Sequence, residues 1–286
     1  MSDLLTVQHL SKDYPSFSLK DVSFSVPSGS IMGFIGENGA GKTTTIKLIL
    51  NEIRRSGGSI QLFGKDAVKD ETEVKAQLGV VFDESYFSGV FNAGDIEAIL
   101  KRVFRTWDGA LYQKYLKEFG LPRDKKIKEY SKGMKMKLSI ASALAHKPRL
   151  LILDEATSGL DPVMRSEILD IFLDFIQDES RGVLFSSHIT SDLERVADYV
   201  TFLHEGKVVF SSRKDDITEH YGILKCGASQ YQSLDKTGFL RVMRGACECE
   251  ILVEDRAAAR KHHPDLVLEG AALDRIMLLY GKGESA

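Results

Sequence analysis

The eight residues Gly36-Glu37-Asn38-Gly39-Ala40-Gly41-Lys42-Thr43 constrain this chain more than any other segment, because they suit a loop that leaves a buried strand and enters a helix. Ahead of them, Ile31 to Ile35 is an apolar run without polar alternation, the pattern of a strand covered on both faces of a parallel sheet. Behind them, Ile46, Ile49, Leu50 and Ile53 recur at helical spacing and predict a helix packed on that sheet. Glycines at 36, 39 and 41 leave backbone N–H groups bare at the helix N-terminus, where an anionic polyphosphate fits. Lys42 is expected to neutralise the β- and γ-phosphates and the Thr43 hydroxyl to bind Mg²⁺, with Asn38, Ala40 and Thr44 completing the cradle. Alone, the motif does not separate ATPases from GTPases or small-molecule kinases.

A second apolar strand, Leu150-Leu151-Ile152-Leu153-Asp154-Glu155, ends in two carboxylates. Such a strand delivers its last side chains to the C-terminal edge of an open α/β sheet, where ligands bind. There Asp154 suits Mg²⁺ held through water, and Glu155 suits a general base acting on an attacking water; the pair also suits a helix N-cap. Tyr130-Ser131-Lys132-Gly133-Met134 opens an apolar helical stretch through Leu138, Ile140 and Leu144. Ser131 reads there as an ordinary N-cap or as a hydroxyl offered to an anion. His188 follows the strand Val183 to Ser186 at the same edge. It suits donation to a γ-phosphate oxygen, orientation of the Glu155 region, or a purely structural role.

Around these motifs the patterning predicts an α/β fold. Alternation from Thr6 to Val26 predicts antiparallel strands with one buried face, Gly57-Gly58-Ser59 closes the first unit, and Leu78 to Phe82 is a further strand. From about Ser85 to Lys147 the apolar spacing is helical, which marks an inserted helical subdomain. The sheet resumes at Leu150, and the strands Tyr199 to Leu203 and Val208 to Phe210, joined at Gly206, complete a core spanning residues 1–214. Residues 215–286 predict a small α+β appendage, with strands at Leu240 to Met243 and Cys247 to Val253 and a helix through Ala271 to Tyr280.

Composition narrows the function further. With 38 basic and 41 acidic residues the net charge is -3, so no nucleic-acid partner held by broad electrostatics is expected. The basic run from Arg123 to Lys137 reads as a solvated helical face or a local contact surface. Cys226, Cys247 and Cys249 are expected to be reduced thiols, since the Cys-Glu-Cys spacing lacks a second pair of soft ligands for zinc. No basic-then-apolar leader follows Met1 and no 18 apolar residues run together, so neither secretion nor a membrane span is expected.

In order and approximate spacing, the phosphate loop, the helical insertion, Ser131-x-Gly133, Asp154-Glu155, Ser158-Gly159-Leu160-Asp161 and His188 resemble the nucleotide-binding subunits of ATP-binding-cassette (ABC) transporters over roughly residues 3 to 214. The resemblance implies a P-loop NTPase of the ABC ATPase type: a mixed, mainly parallel core sheet, an N-terminal antiparallel β-subdomain and the helical insertion, with Tyr14 stacking on adenine. It implies a dimer in which two ATP molecules lie between two ABC subunits, each phosphate loop facing Ser131, Gly133 and Met134 of the other, with Asp161 at the interface. Closure and release of that dimer would drive a separately encoded transmembrane permease, this chain lying peripherally on the cytoplasmic face of the membrane. The end of the chain, Leu268 to Met277, resembles the closing helix of single-domain bacterial exporter subunits. Two departures stand out. Asp83 occupies the position where the family usually carries Gln, and as a carboxylate it is a candidate Mg²⁺ ligand. Lys132 and Met134 replace residues of the usual Leu-Ser-Gly-Gly-Gln signature. A cytosolic, non-transport ATPase of the same fold and an ATP-sensing subunit with weak turnover are the competing readings.

Overall fold

The computed structural model describes residues 2–286. Its central sheet has six strands, in the order Lys207–Arg213, Tyr199–His204, Ile31–Ile35, Gly182–Ser187, Leu150–Asp154 and Leu78–Val81. Five run parallel, and Lys207–Arg213 turns back antiparallel at one edge. Ile31–Ile35, Gly182–Ser187 and Leu150–Asp154 lie side by side with every residue buried, as apolar runs covered on both faces must be. Register then positions the site. Ile35 pairs with Ser187 and Asp154 with Ser186, so the phosphate loop, Glu155 and His188 all leave the sheet at one edge.

The N-terminal sheet, Phe17–Pro27, Asp3–Tyr14, Gly57–Leu62 and Lys65–Asp66, is antiparallel and turns Leu5, Val7, Leu10, Val22 and Val26 onto Phe34 and Ile46 of the core. Gly57-Gly58-Ser59 therefore begins a strand rather than closing a unit. Glycine disfavours strands locally, but a Cβ at residue 58 would collide with the His9 and Gln8 backbone, so pairing selects glycine there. The helix after the phosphate loop is Lys42–Ile49, shorter than the spacing through Ile53 predicts. Asn51 takes a left-handed conformation (φ 54°) that ends it, and Ile53 packs from the following turn.

In the insertion, helices Ala93–Val103, Gly109–Glu118 and Lys132–Ala145 are each capped by a side chain, Asn92, Asp108 and Ser131 respectively. They enclose a small core of Ile96, Tyr112, Leu116, Leu138 and Ala141. Members of the basic run pair with acids, Arg123 with Glu97 at 3.0 Å and Lys137 with Glu167 at 2.7 Å.

The appendage is a five-stranded antiparallel sheet, Val267–Gly270, Gly222–Gly227, Glu248–Val253, Phe239–Arg244 and Glu284–Ser285, with the helix Leu273–Lys282. Sequence patterning missed Gly222–Gly227 and Val267–Gly270, which are short and bounded by glycine. Leu273, Ile276 and Leu279 are fully buried, and they join the same hydrophobic cluster as Phe185, Val200 and Phe202 of the central sheet. Cys226 and Cys249 face each other across paired strands, buried, while Cys247 is exposed; all three are free thiols. Among the described residues no helix is long and apolar enough to cross a membrane.

Candidate functional site

The phosphate loop is shaped by contacts that only glycine permits. A Cβ on Gly36 would run into the Leu203 carbonyl, and Gly41, at φ 110°, lies against Leu19 and Phe17. Ala40 is buried, whereas Asn38, Gly39 and Thr43 are exposed and Thr44 half-buried at the loop's open side. Lys42 is almost wholly buried. Its Nζ donates to the Gly36 carbonyl at 2.7 Å and the Glu37 carbonyl at 3.2 Å, so its charge is held inside the loop.

Glu155 joins that lysine to the neighbouring strand end. Its Oε1 lies 3.4 Å from Lys42 Nζ and its Oε2 2.6 Å from His188 Nδ1, so one carboxylate bridges cation and imidazole. The backbone is bent to achieve this: Glu155 has φ 55°, a left-handed conformation that costs a non-glycine residue on the order of 1–3 kcal/mol. Its N–H is anchored to the Ser186 carbonyl at 3.1 Å and to Ser186 Oγ at 3.3 Å.

Asp154 sits deeper, only 5% exposed, and accepts a 2.6 Å hydrogen bond from Ser186 Oγ. Burial pushes its carboxyl above the ordinary carboxylate range; hydrogen bonds from Ser186 and Thr43 pull it back, and the charges of Glu155 and Asp83 push it up again. Thr43 therefore sits against Asp154, and the Asp83 charge reaches the same carboxyl. Among the described residues, however, no three His, Cys, Asp or Glu side chains form a closed metal cage. A hydroxyl beside a buried carboxylate suits Mg²⁺, which keeps several waters and takes one or two carboxylates plus phosphate oxygens. Behind the site Thr157 donates to Asp192 at 2.8 Å, with Arg165 at 3.7 Å from the same carboxylate.

The other expected residues gather elsewhere. Ser131 caps its helix, accepting from the Met134 N–H at 3.2 Å, and Asp161 caps Pro162–Phe175, accepting from Met164 at 3.0 Å. Gly133 is buried under the Met164 sulfur, Lys132 Nζ lies over Gly159, and Met134 packs against the insertion's core. Among the described residues no hydrogen bond or ion pair links this group to the phosphate loop. Tyr14 is 41% exposed, with Lys12 Nζ 5.2 Å over one ring face, and it lines an open cleft with Phe17 and Gly39. Sequence reasoning did not single out Ser186, although two serines after an apolar strand at a ligand-binding edge were a usable signal. It also missed that helix Leu273–Lys282 walls a cleft against Glu37 and His188.

A parallel sheet with a phosphate loop at its edge, and a carboxylate joining the loop lysine to a histidine, defines a P-loop nucleoside triphosphatase fold. A profile of the ABC transporter family matches residues 19–158. The chain is 34% identical over 212 residues to the bacitracin transport ATP-binding protein BcrA of Bacillus licheniformis, spanning 73% of this chain and 69% of that protein. It is 32% identical over 215 residues to the lantibiotic transport ATP-binding protein SrtF of Streptococcus pyogenes, spanning 74% and 92%. A solved structure described as the ATP binding subunit of an ABC transporter matches with a TM-score of 0.69 and 30% identity, over 75% of this chain and 91% of the other. This chain belongs to the ATP-binding proteins of the ABC transporter family.

Proposed function

We propose that this chain hydrolyses ATP to ADP and phosphate and thereby powers export through a separately encoded permease, bound peripherally at the cytoplasmic face of the membrane. The observation that carries the reading is Glu155, held between Lys42 and His188. The names of BcrA and SrtF, both transport ATP-binding proteins, support transport over other uses of the fold.

The chemistry follows from the placement of these groups. ATP phosphates bind the N–H groups from Gly36 to Thr44 and compete with Glu155 for the Lys42 ammonium. Glu155, steadied by His188 at Nδ1, accepts a proton from a water whose oxygen bonds to the γ-phosphorus as the bond to the β–γ bridging oxygen breaks. Thr43 and Asp154 would hold Mg²⁺, which would neutralise phosphate charge when bound, and the Asp83 charge is felt at the same Asp154 carboxyl. Ser131, Gly133, Met134 and Asp161 serve the nucleotide of a second ABC subunit, a second copy or a different one, consistent with their separation from this chain's own phosphate loop.

The permease docks on one apolar surface. An apolar groove of about 400 Å³ runs between the edge strand and the helical insertion, lined by Phe82, Tyr86, Leu100 and Phe104 beside Asp83. Tyr86, one of its lining residues, is exposed. A short amphipathic segment of the permease fits such a surface.

ATP turnover by the purified chain with Mg²⁺ is the test. Glu155→Gln should lower turnover roughly 10²- to 10⁴-fold, the usual worth of a positioned base, while ATP still binds. Equal turnover in wild type and variant would refute the assignment.

A further inference from the structure

The cleft beside Tyr14 carries a charge that stacking does not require. It has a volume of about 450 Å³, room for a purine, and its lining includes Tyr14, Lys20, Gly39 and Glu205. Lys12 covers one face of the Tyr14 ring, which leaves the other for a base. Among the described residues no hydrogen bond or ion pair engages the Glu205 carboxylate.

The Glu205 side chain is exposed, but its backbone is held. It occupies the tight turn between Tyr199–His204 and Lys207–Arg213 with φ 46°. The next residue ties that turn on two sides: the Gly206 N–H donates to the Ala40 carbonyl at 3.1 Å, and its carbonyl accepts from Lys20 N–H at 2.8 Å. A Cβ on Gly206 would collide with the Ser18 carbonyl, so the turn sits flush on the strand that follows Tyr14. The carboxylate therefore rides on backbone bonded both to the Gly36–Thr43 loop and to the strand that follows Tyr14.

Resting on the proposed ATP-binding reading, we infer that Glu205 reads the nucleobase. Its carboxylate accepts a hydrogen bond from the exocyclic amino group of an adenine stacked on Tyr14. A carboxylate only accepts, so a purine with oxygen at that ring position sets two acceptors against each other. The site thus discriminates by leaving wrong partners unpaired, the route by which polar groups give specificity.

The test is calorimetric titration of the full chain with Mg²⁺ and ATP, inosine triphosphate or 2′-deoxy-ATP. Wild type should bind ATP about tenfold more tightly than inosine triphosphate, the worth of one hydrogen bond to a charged group. Glu205→Gln, whose amide both donates and accepts, should bring that ratio close to one while Tyr14→Ala weakens both nucleotides together. A wild-type ratio near one, or an unchanged ratio in Glu205→Gln, overturns the assignment. So does a Glu205→Gln effect confined to the 2′-deoxy-ATP comparison, which would place the carboxylate on the ribose. Failure of wild type to bind any of the three nucleotides would instead overturn the proposed function beneath it.

Discussion

Replacing Ser186 with alanine removes a single oxygen, and its effect can be worked from two hydrogen bonds. The hydroxyl donates to Asp154 Oδ1 at 2.6 Å and accepts from the Glu155 N–H at 3.3 Å. Glu155 keeps the Ser186 carbonyl at 3.1 Å, so only the Asp154 bond is lost outright. A hydrogen bond to a charged group contributes about 1.5–3 kcal/mol, and a kcal/mol corresponds to roughly 2–4 °C for a chain near this size. Ser186→Ala should therefore melt roughly 3–12 °C below wild type. The same change drives the Asp154 carboxyl further up, because Ser186 is the strongest of the groups pulling it down. On the proposed reading Asp154 must be ionised to hold Mg²⁺, so the Mg²⁺ concentration needed for half-maximal turnover should rise several-fold, and most at low pH. Thermal unfolding by circular dichroism and a Mg²⁺ titration of turnover measure the two effects. If the variant melts within about 1 °C of wild type and needs no more Mg²⁺, the hydroxyl does not support Asp154 as described.

Two further outcomes follow. Gly36→Ala forces a methyl group against the Leu203 carbonyl, backbone that cannot step aside, and overpacking of this kind costs about 1–3 kcal/mol; ATP binding should vanish in calorimetry, and retention of wild-type affinity would contradict the geometry. Asp192 is held above the ordinary carboxylate value of 3.8 by burial, against the pull of Thr157, Arg165, Arg195 and His188. The folded protein thus binds that proton more tightly than the unfolded chain, giving stability that is full below 3.8 and lost as pH rises through the folded value. Asp192→Asn should gain on wild type as pH climbs through that window, and a difference flat with pH in urea unfolding would contradict this.

What was legible in the sequence is what local spacing encodes. The glycines of the phosphate loop, the apolar run ending at Asp154 and Glu155, and the helical periodicity of the insertion each announce themselves within a dozen residues. The bridge from Lys42 through Glu155 to His188 does not, because it depends on which strands lie side by side, and nothing local states that Asp154 pairs with Ser186. The same limit hid Gly57–Leu62, where cross-strand pairing overrides glycine's poor strand propensity, and the short strands of the appendage. Ser131 and Asp161 mark a different boundary: both act as helix caps within this chain, and a capping side chain looks alike in sequence whether or not it also faces a partner.

Helix Leu273–Lys282 buries its apolar stripe among strands of the central sheet and brings Gly281 up to the Glu37 side chain of the phosphate loop. During synthesis the loop emerges early, yet the wall beside it is made more than 200 residues later. Chain growth is vectorial, so a nascent polypeptide can fold the first sheet and close the glycine loop while the flank of its nucleotide site still faces water. The finished pocket therefore doubles as a report that residues 273–282 have been translated and seated.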